Sequence, residues 1–201
     1  VLDSILPIAA KYGAAVGGLT MDGRGIPKTA KERVKIAEKI IARAQEYGIP
    51  EEDVYIDCLT LTVSAEQAQA CQTLEAIRQI KKKHRVKTVL GVSNISFGLP
   101  QRGHVTVSFL TQAMACGLDL PILNPNVDAM MAAVRCYHLL MNIDTDAREF
   151  IAAYGNATVS TSITSAAGMT AAPAAGEKRG LEEIISDAWA WHSSHPNGYE
   201  G

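Results

Sequence analysis

The feature that most constrains the fold is an alternation of short apolar runs with amphipathic helical segments, repeated about every 35 residues. The apolar runs lie at 14–20, 54–56, 88–92 and 120–123, and a polar loop and a helical pattern follow each of them. Such alternation predicts right-handed crossovers and a parallel α/β sheet. Four units fit either an open doubly wound sheet or half of a (β/α)8 barrel of the TIM type. A chain that begins in a helix favours the second half of such a barrel.

Capping signals mark where several helices begin. The segment 2–12 is amphipathic and is followed by a glycine, while Thr29 and Glu32 have the spacing of a capping box. Ser64 and Gln67 share that spacing and predict the start of the next helix. Two further helices are predicted over 104–116 and 127–141. The apolar residues expected to face the core are Val107, Leu110, Ala113, Met114, Met130, Met131, Val134 and Leu140.

Composition narrows the class of protein. In 201 residues, 47% are hydrophobic, 20% are charged and the net charge is -2, so no basic surface indicates nucleic acid or anionic lipid. No apolar run is long enough to cross a membrane. The cysteines never approach a CxxC spacing and are interpreted as buried reduced thiols, which favours a cytoplasmic protein without a metal site. These cysteines are Cys58, Cys71, Cys116 and Cys136.

The character of the chain changes near residue 156. The segment 157–180 is rich in Ala, Ser, Thr and Gly without periodicity, which predicts a linker after a domain at 1–156. The segment 181–201 predicts a short helix and a tail that lead to a further domain. Two histidines near its end, His192 and His195, are more typical of a chain terminus than of a metal site.

The polar residues that follow the predicted strands are Asp22, Asp57, Asn94 and Asn124. Carboxyl ends of parallel strands face the ligand crevice, so these side chains are expected to line one polar mouth. Asp57 directly follows an apolar strand, where a partly buried carboxylate needs hydrogen-bond donors that a substrate can supply. Asn94 begins the polar, Gly- and Pro-containing loop 93–102.

Four motifs resemble the pterin-binding family. They are Gly-Leu-Thr-Met-Asp-x-x-Gly-Ile-Pro-Lys at 18–28, Ile-Asp-x-Leu at 56–59, Gly-Val-Ser-Asn-Ile-Ser-Phe-Gly-Leu-Pro-x-Arg at 91–102, and Ala-x-Gly-Leu-Asp with Asn-Pro within 115–125. The chain is most similar to the branch that contains the methyltetrahydrofolate domains of cobalamin-dependent methionine synthases and the methyltetrahydrofolate:corrinoid methyltransferases. The resemblance implies that residues 1–156 are the last four units of a (β/α)8 barrel.

The resemblance also implies roles for individual residues. Asp57 matches the carboxylate that holds the amino-pyrimidine edge of the pterin, and Asn94 matches the amide near N5, with a catalytic role. Arg102 matches a substrate-side cation, and its expected place just before a helix, where the dipole disfavours a cation, fits such a role. The remaining residues expected to bind substrate are Asp22, Gly91, Ser93, Phe97 and Asn124.

The implied reaction is transfer of the N5 methyl group of 5-methyltetrahydrofolate to cobalamin or another corrinoid in methionine synthesis. The expected partners are a corrinoid-binding domain or protein and a small-molecule folate, and a homodimer is a further expectation. Two alternatives stay open: a dihydropteroate synthase-like pterin enzyme, and a non-catalytic folate-binding fragment. Cys58 and Thr106 depart from the family pattern, which commonly has Pro and Asn at those positions.

Overall fold

A computed structural model describes residues 1–155. The strands are β1 (Val16–Leu19), β2 (Val54–Asp57), β3 (Lys87–Gly91) and β4 (Leu120–Ile122). The α-helices are α1 (Leu2–Tyr12), α2 (Ala30–Glu46), α3 (Ala68–Lys83), α4 (Arg102–Ala115), α5 (Asp128–Leu140) and α6 (Arg148–Tyr154). Residues 1–155 of the predicted domain at 1–156 are described. Its predicted end, the linker, the terminal helix and the histidines near the chain end lie outside the described residues.

The strands form one parallel sheet in the order β1-β2-β3-β4. A doubly wound sheet would reverse its strand order at a switch point, and this sheet does not within residues 1–155. Each helix from α2 to α5 packs against the next, so the crossovers follow one face of the sheet. The parallel α/β prediction is confirmed, and the topology is that of consecutive units of a (β/α)8 barrel.

The two faces of the sheet differ in burial. The helix-facing side chains of Ile56, Thr88 and Leu90 are fully buried, and Gly18 lets Ile40 of α2 approach the backbone of β1 closely. On the opposite face Leu19 is 49% exposed and Ile122 is 61% exposed. The core therefore lies between the sheet and its helices, and the other face is open to solvent in this part of the chain.

The helix start predicted from Ser64 and Gln67 is wrong. Helix α3 begins at Ala68 after Gln67, and no side chain caps it. The capping box at Thr29 is confirmed, because its hydroxyl accepts the Glu32 N–H and also bonds the Glu32 carboxylate. Ser64 instead donates to a carbonyl in the next loop, and that longer-range bond replaces the local one.

Helices α4 and α5 lie close to their predicted ranges. Arg102 is the first residue of α4 rather than a residue before it, and a short 3-10 helix, Val92–Ser96, occupies the first four positions of the predicted loop 93–102. Of the expected core residues, Leu110, Ala113, Met114 and Met130 are buried, whereas Leu140 is 81% exposed at the end of α5. Helix α6 was not predicted, because its seven residues carry too short a pattern.

Buried thiols were predicted at all four cysteines, and this is correct for half of them. Cys58 and Cys116 are buried, while Cys71 and Cys136 lie on exposed positions of α3 and α5. The small apolar residues beside them in sequence made the exposed positions resemble core. Among the described helices, none combines the length and apolar character that crossing a bilayer requires.

Candidate functional site

A cleft of about 600 Å³ opens at the carboxyl ends of β2, β3 and β4. Five residues predicted from the sequence line it: Asp57, Gly91, Ser93, Asn94 and Asn124. Of the four polar residues expected at strand ends, Asp57, Asn94 and Asn124 therefore line the same cleft. In a parallel sheet this edge is where ligands bind, because loops rather than packed helices surround it.

Asp57 ends β2 and is partly buried. Its Oδ1 accepts the N–H of Leu59 at 2.7 Å, the one side-chain hydrogen bond of this carboxylate within residues 1–155. Burial raises the pKa of Asp57, and the Leu59 N–H opposes that rise in part. Its Oδ2 thus remains free to accept hydrogen bonds from a ligand in the cleft.

Asn94 lies in the 3-10 helix directly after β3, and its side chain is exposed. Its amide makes no hydrogen bond to another described residue. A methyl group added at Gly91 would lie 3.3 Å from Asn94 Nδ2, which is tighter than an ordinary contact. Glycine at position 91 therefore gives the amide room above the end of β3, where it can serve a ligand as donor and acceptor.

Arg102 and Phe97 do not line the cleft in the described part of the chain. The Arg102 Nη2 donates to Ser93 O at 3.0 Å and its Nε donates to Ser96 Oγ at 3.2 Å. The guanidinium also lies 4.3 Å from the centre of the Phe97 ring, a cation–π contact. These contacts hold the loop; direct contact of either side chain with substrate stays a prediction.

Hydrogen bonds join the loops after β2 and β3. The hydroxyls of Thr62 and Ser64 each donate to Phe97 O at 2.7 Å, and Val63 N donates to Ile95 O at 2.9 Å. The buried hydroxyl of Thr106 in α4 bonds Ser96 Oγ at 2.8 Å. The loop that carries Asn94 is therefore supported from two sides.

Asp22 lies apart from the cleft lining of the described residues. It is exposed, pairs with Arg24 at 2.7 Å and closes a small turn with Gly25. The hydrogen bonds from Arg24 lower the pKa of Asp22. Asn124 does line the cleft, and its Oδ1 accepts the Asn126 N–H at 3.0 Å in an Asx turn, which leaves its Nδ2 free of described partners.

Five lining residues were missed by reasoning from polar groups at strand exits. They are Ile26, Leu59, Thr60, Ile122 and Leu123. Ile122 pairs with Gly91 across the sheet, so the strand register would have placed it on the same face. Leu59 has a positive φ of 60°, for which the sequence gives no signal. Thr60 Oγ1 is buried and has no described partner.

Comparisons with known proteins identify the family to which the chain belongs. The family model described as "Pterin binding enzyme" matches residues 3–124. The chain is 39% identical over 127 residues to methionine synthase of Mycobacterium leprae. This match covers 59% of the chain and 10% of that protein. It is 41% identical over 127 residues to methionine synthase of Mycobacterium tuberculosis, and this match covers 59% of the chain and 11% of that protein.

A further relative is a methylcorrinoid:tetrahydrofolate methyltransferase of Eubacterium limosum. It is 28% identical over 139 residues, which are 68% of the chain and 51% of the relative. The matched region thus spans about a tenth of the two methionine synthases and about half of this methyltransferase.

Proposed function

The chain belongs to the family of pterin binding enzymes, and from this premise we propose that its cleft binds 5-methyltetrahydrofolate for transfer of the N5 methyl group to a corrinoid. The matched relatives are named for methionine synthesis and for methyl exchange between a corrinoid and tetrahydrofolate. We assign this chain the folate side of such a reaction within methionine synthesis, with the corrinoid on a partner domain or protein.

The observation that carries the proposal is the meeting of Asp57 and Asn94 in one cleft at the carboxyl edge of the sheet. A pterin presents adjacent N–H donors on its amino-pyrimidine ring and a tertiary amine at N5. A carboxylate with a free oxygen suits the first, and an amide with no described partner suits the second. The apolar side chains of Ile26, Leu59 and Ile122 supply surface for the flat ring.

Asp57 acts as the anchor in this proposal. Its ionised carboxylate accepts two N–H bonds from the ring edge, and such charge-assisted bonds are roughly twice as strong as neutral ones. Partial burial strengthens them further, because fewer waters compete for the oxygens. The Leu59 N–H on Oδ1 fixes the carboxylate plane and leaves Oδ2 and the second lone pair of Oδ1 for the ligand.

Asn94 acts on the reacting atom. When the N5–methyl bond breaks, the methyl carbon leaves without the electron pair, which stays on N5, so N5 is a poor leaving group unless it carries a proton. The Asn94 Oδ1 can accept a hydrogen bond from protonated N5 and stabilise that charge in the transition state. A corrinoid on the partner supplies the cobalt(I) nucleophile that receives the methyl group.

The test uses the full chain and two measurements. Calorimetric titration with 5-methyltetrahydrofolate should show binding, and the absorbance of free cob(I)alamin as acceptor should report methyl transfer. Asn94→Ala should lower the transfer rate by about 10²-fold, comparable to loss of one preorganised polar group at a reacting atom. Binding should fall much less, because the amide acts mainly in the transition state.

Asn126→Ala is the matched control, since Asn126 lies at the same edge of the sheet but outside the cleft lining and uses only its backbone N–H there. It should leave both measurements unchanged. Absence of folate binding by the wild-type chain would refute the proposal. Binding without transfer would reduce it to the folate-binding alternative, and an unchanged rate in Asn94→Ala would remove this residue from the mechanism.

A further inference from the structure

The side chain of Arg33 is the largest fully buried one in the described structure, at 0% exposure. Arginine is almost never buried without a carboxylate partner, yet no described carboxylate forms an ion pair with it. Its burial in α2 lowers the pKa of the guanidinium, as expected for a charge removed from water. A group held at this expense needs a reason beyond filling space in the core.

The guanidinium donates to neutral groups in two loops that follow neighbouring strands. Its Nε donates to Pro27 O at 2.9 Å in the loop after β1. Its Nη1 donates to Cys58 O at 3.0 Å and to Leu59 O at 3.1 Å in the loop after β2. One planar cation therefore joins the two loops that contribute Ile26 and Leu59 to the cleft, next to Asp57 at the end of β2.

Two buried polar residues of α3 complete the shell around this cation. Arg33 Nη1 donates to Thr73 Oγ1 at 2.7 Å, and Nη2 donates to Gln69 Oε1. Thr73 Oγ1 lies 3.0 Å from Leu59 O as well, and Gln69 Nε2 donates to Lys28 O at 3.2 Å. The network thus holds both loops against α2 and α3.

The connection to the cleft runs through Leu59. This residue has φ 60°, a left-handed conformation that is uncommon and strained for a leucine. Arg33 donates to the carbonyl that precedes Leu59, which is Cys58 O, and to the carbonyl of Leu59 itself. The Leu59 N–H in turn donates to Asp57 Oδ1. The guanidinium therefore holds, through two backbone carbonyls, the strained turn that orients the Asp57 carboxylate.

We propose that Arg33 is a positioning residue that holds the Asp57–Leu59 turn and so fixes the Asp57 carboxylate in the cleft. Its use in pterin binding rests on the function proposed above. The positioning itself does not depend on a ligand and can be measured without one. Arg33 does not line the cleft within the described residues, so it acts through Leu59 and not on substrate.

The test compares three variants of the full chain. Arg33→Met removes all donors, whereas Arg33→Lys keeps the charge but loses the planar fork that reaches several carbonyls at once. Asp119→Asn is the control for lost stability: it weakens a network with Thr88 and Lys81 at the opposite, amino edge of the sheet. Unfolding in urea shows how far each substitution lowers stability.

Two measurements without ligand report positioning. Carbon-13 NMR of the side-chain carboxyl follows the titration of Asp57, and hydrogen exchange follows the Leu59 amide. In Arg33→Met we expect the pKa of Asp57 to rise, because the Leu59 N–H that lowers it is released, and Leu59 exchange to quicken at least tenfold. Arg33→Lys should show the same changes in reduced size, and it decides the question if Arg33→Met does not fold.

Asp119→Asn should leave the Asp57 titration and the Leu59 amide unchanged at a comparable loss of stability. The proposal is overturned if folded Arg33 variants retain both wild-type values, or if the control shifts them equally. The dissociation constant for 5-methyltetrahydrofolate should rise about tenfold or more in Arg33→Met, as expected for a displaced binding group. If the wild-type chain binds no folate, the proposed function fails, while the two NMR measurements still decide the positioning.

Discussion

Replacement of Asp57 by asparagine should weaken folate binding and stabilise the fold. In the structure Oδ1 already accepts the Leu59 N–H, so a ligand that offers two parallel donors uses Oδ2 and the remaining lone pair of Oδ1. The asparagine keeps a single oxygen, and one ligand donor would then face an NH2 group. A lost charge-assisted bond costs about 1.5–3 kcal/mol and an unpaired donor about 1–3 kcal/mol.

These two terms overlap, so we take a loss of about 3–4 kcal/mol, equal to a rise in the dissociation constant of about 10²–10³-fold. Calorimetric titration of the full chain with 5-methyltetrahydrofolate measures it. Asp3→Asn is the matched control, because Asp3 is an exposed carboxylate on α1 that pairs with Arg43, outside the cleft lining. A dissociation constant for Asp57→Asn within threefold of wild type would refute the anchoring role.

The effect of Asp57→Asn on stability has a defined pH dependence. Burial raises the folded-state pKa of Asp57 above its unfolded value, so the folded state binds the proton more tightly. The wild type is therefore penalised as the pH rises from about 4 through the folded pKa, and the neutral asparagine is not. Urea unfolding should show that the advantage of Asp57→Asn appears over this window and persists at neutral pH. An asparagine variant less stable than wild type at pH 7 would contradict the reasoning.

Two further substitutions test details of the cleft. Gly91→Ala should change the free energy of unfolding by less than about 0.5 kcal/mol but slow methyl transfer about tenfold, because the new methyl group displaces the Asn94 amide by a few tenths of an ångström. In Gly17→Ala, the control in β1, the new methyl group meets nothing within 4 Å, and the rate of methyl transfer should stay unchanged in the same assay. Thr60→Val should raise the free energy of unfolding by about 1 kcal/mol in urea titrations, because it removes a buried hydroxyl with no described partner, whereas Thr88→Val, which loses a hydrogen bond to Gly117 O, should lower it.

Periodicity predicted the strand–helix units well because each unit buries one apolar face, and that burial is visible in single-sequence spacing. Asp57 and Asn94 could be found for the same reason, since each lies at or just after the carboxyl end of an apolar strand. Ser64 shows where local reasoning fails. Its spacing to Gln67 matches a capping box, but its hydroxyl bonds Phe97 O, 33 positions away in the sequence, and nothing in the local sequence encodes that partner.

Arg33 illustrates a second limit of the sequence. It occupies a position in α2 that a helical pattern assigns to the buried face, between Ala30 and Val34, and a charge there is a contradiction that periodicity alone cannot resolve. The resolution requires knowing that two loops place three carbonyls around the same point. Such convergence is a property of the tertiary structure, because Pro27 and Leu59 are far apart in the chain.

The positions of strained backbone and of polar groups with few hydrogen bonds support the location of the site independently of the family. At the amino edge, Asp119 accepts bonds from Lys81 and from the backbone and hydroxyl of Thr88, which is a network of ordinary, satisfied groups. At the carboxyl edge, Leu59 is held at a positive φ beside the half-buried carboxylate of Asp57. Folding stability alone does not select these features, since each of them is unfavourable by itself. They persist because a buried cation and two joined loops enforce them, and a carboxylate held ready in a cleft is useful only to a ligand that donates hydrogen bonds to it.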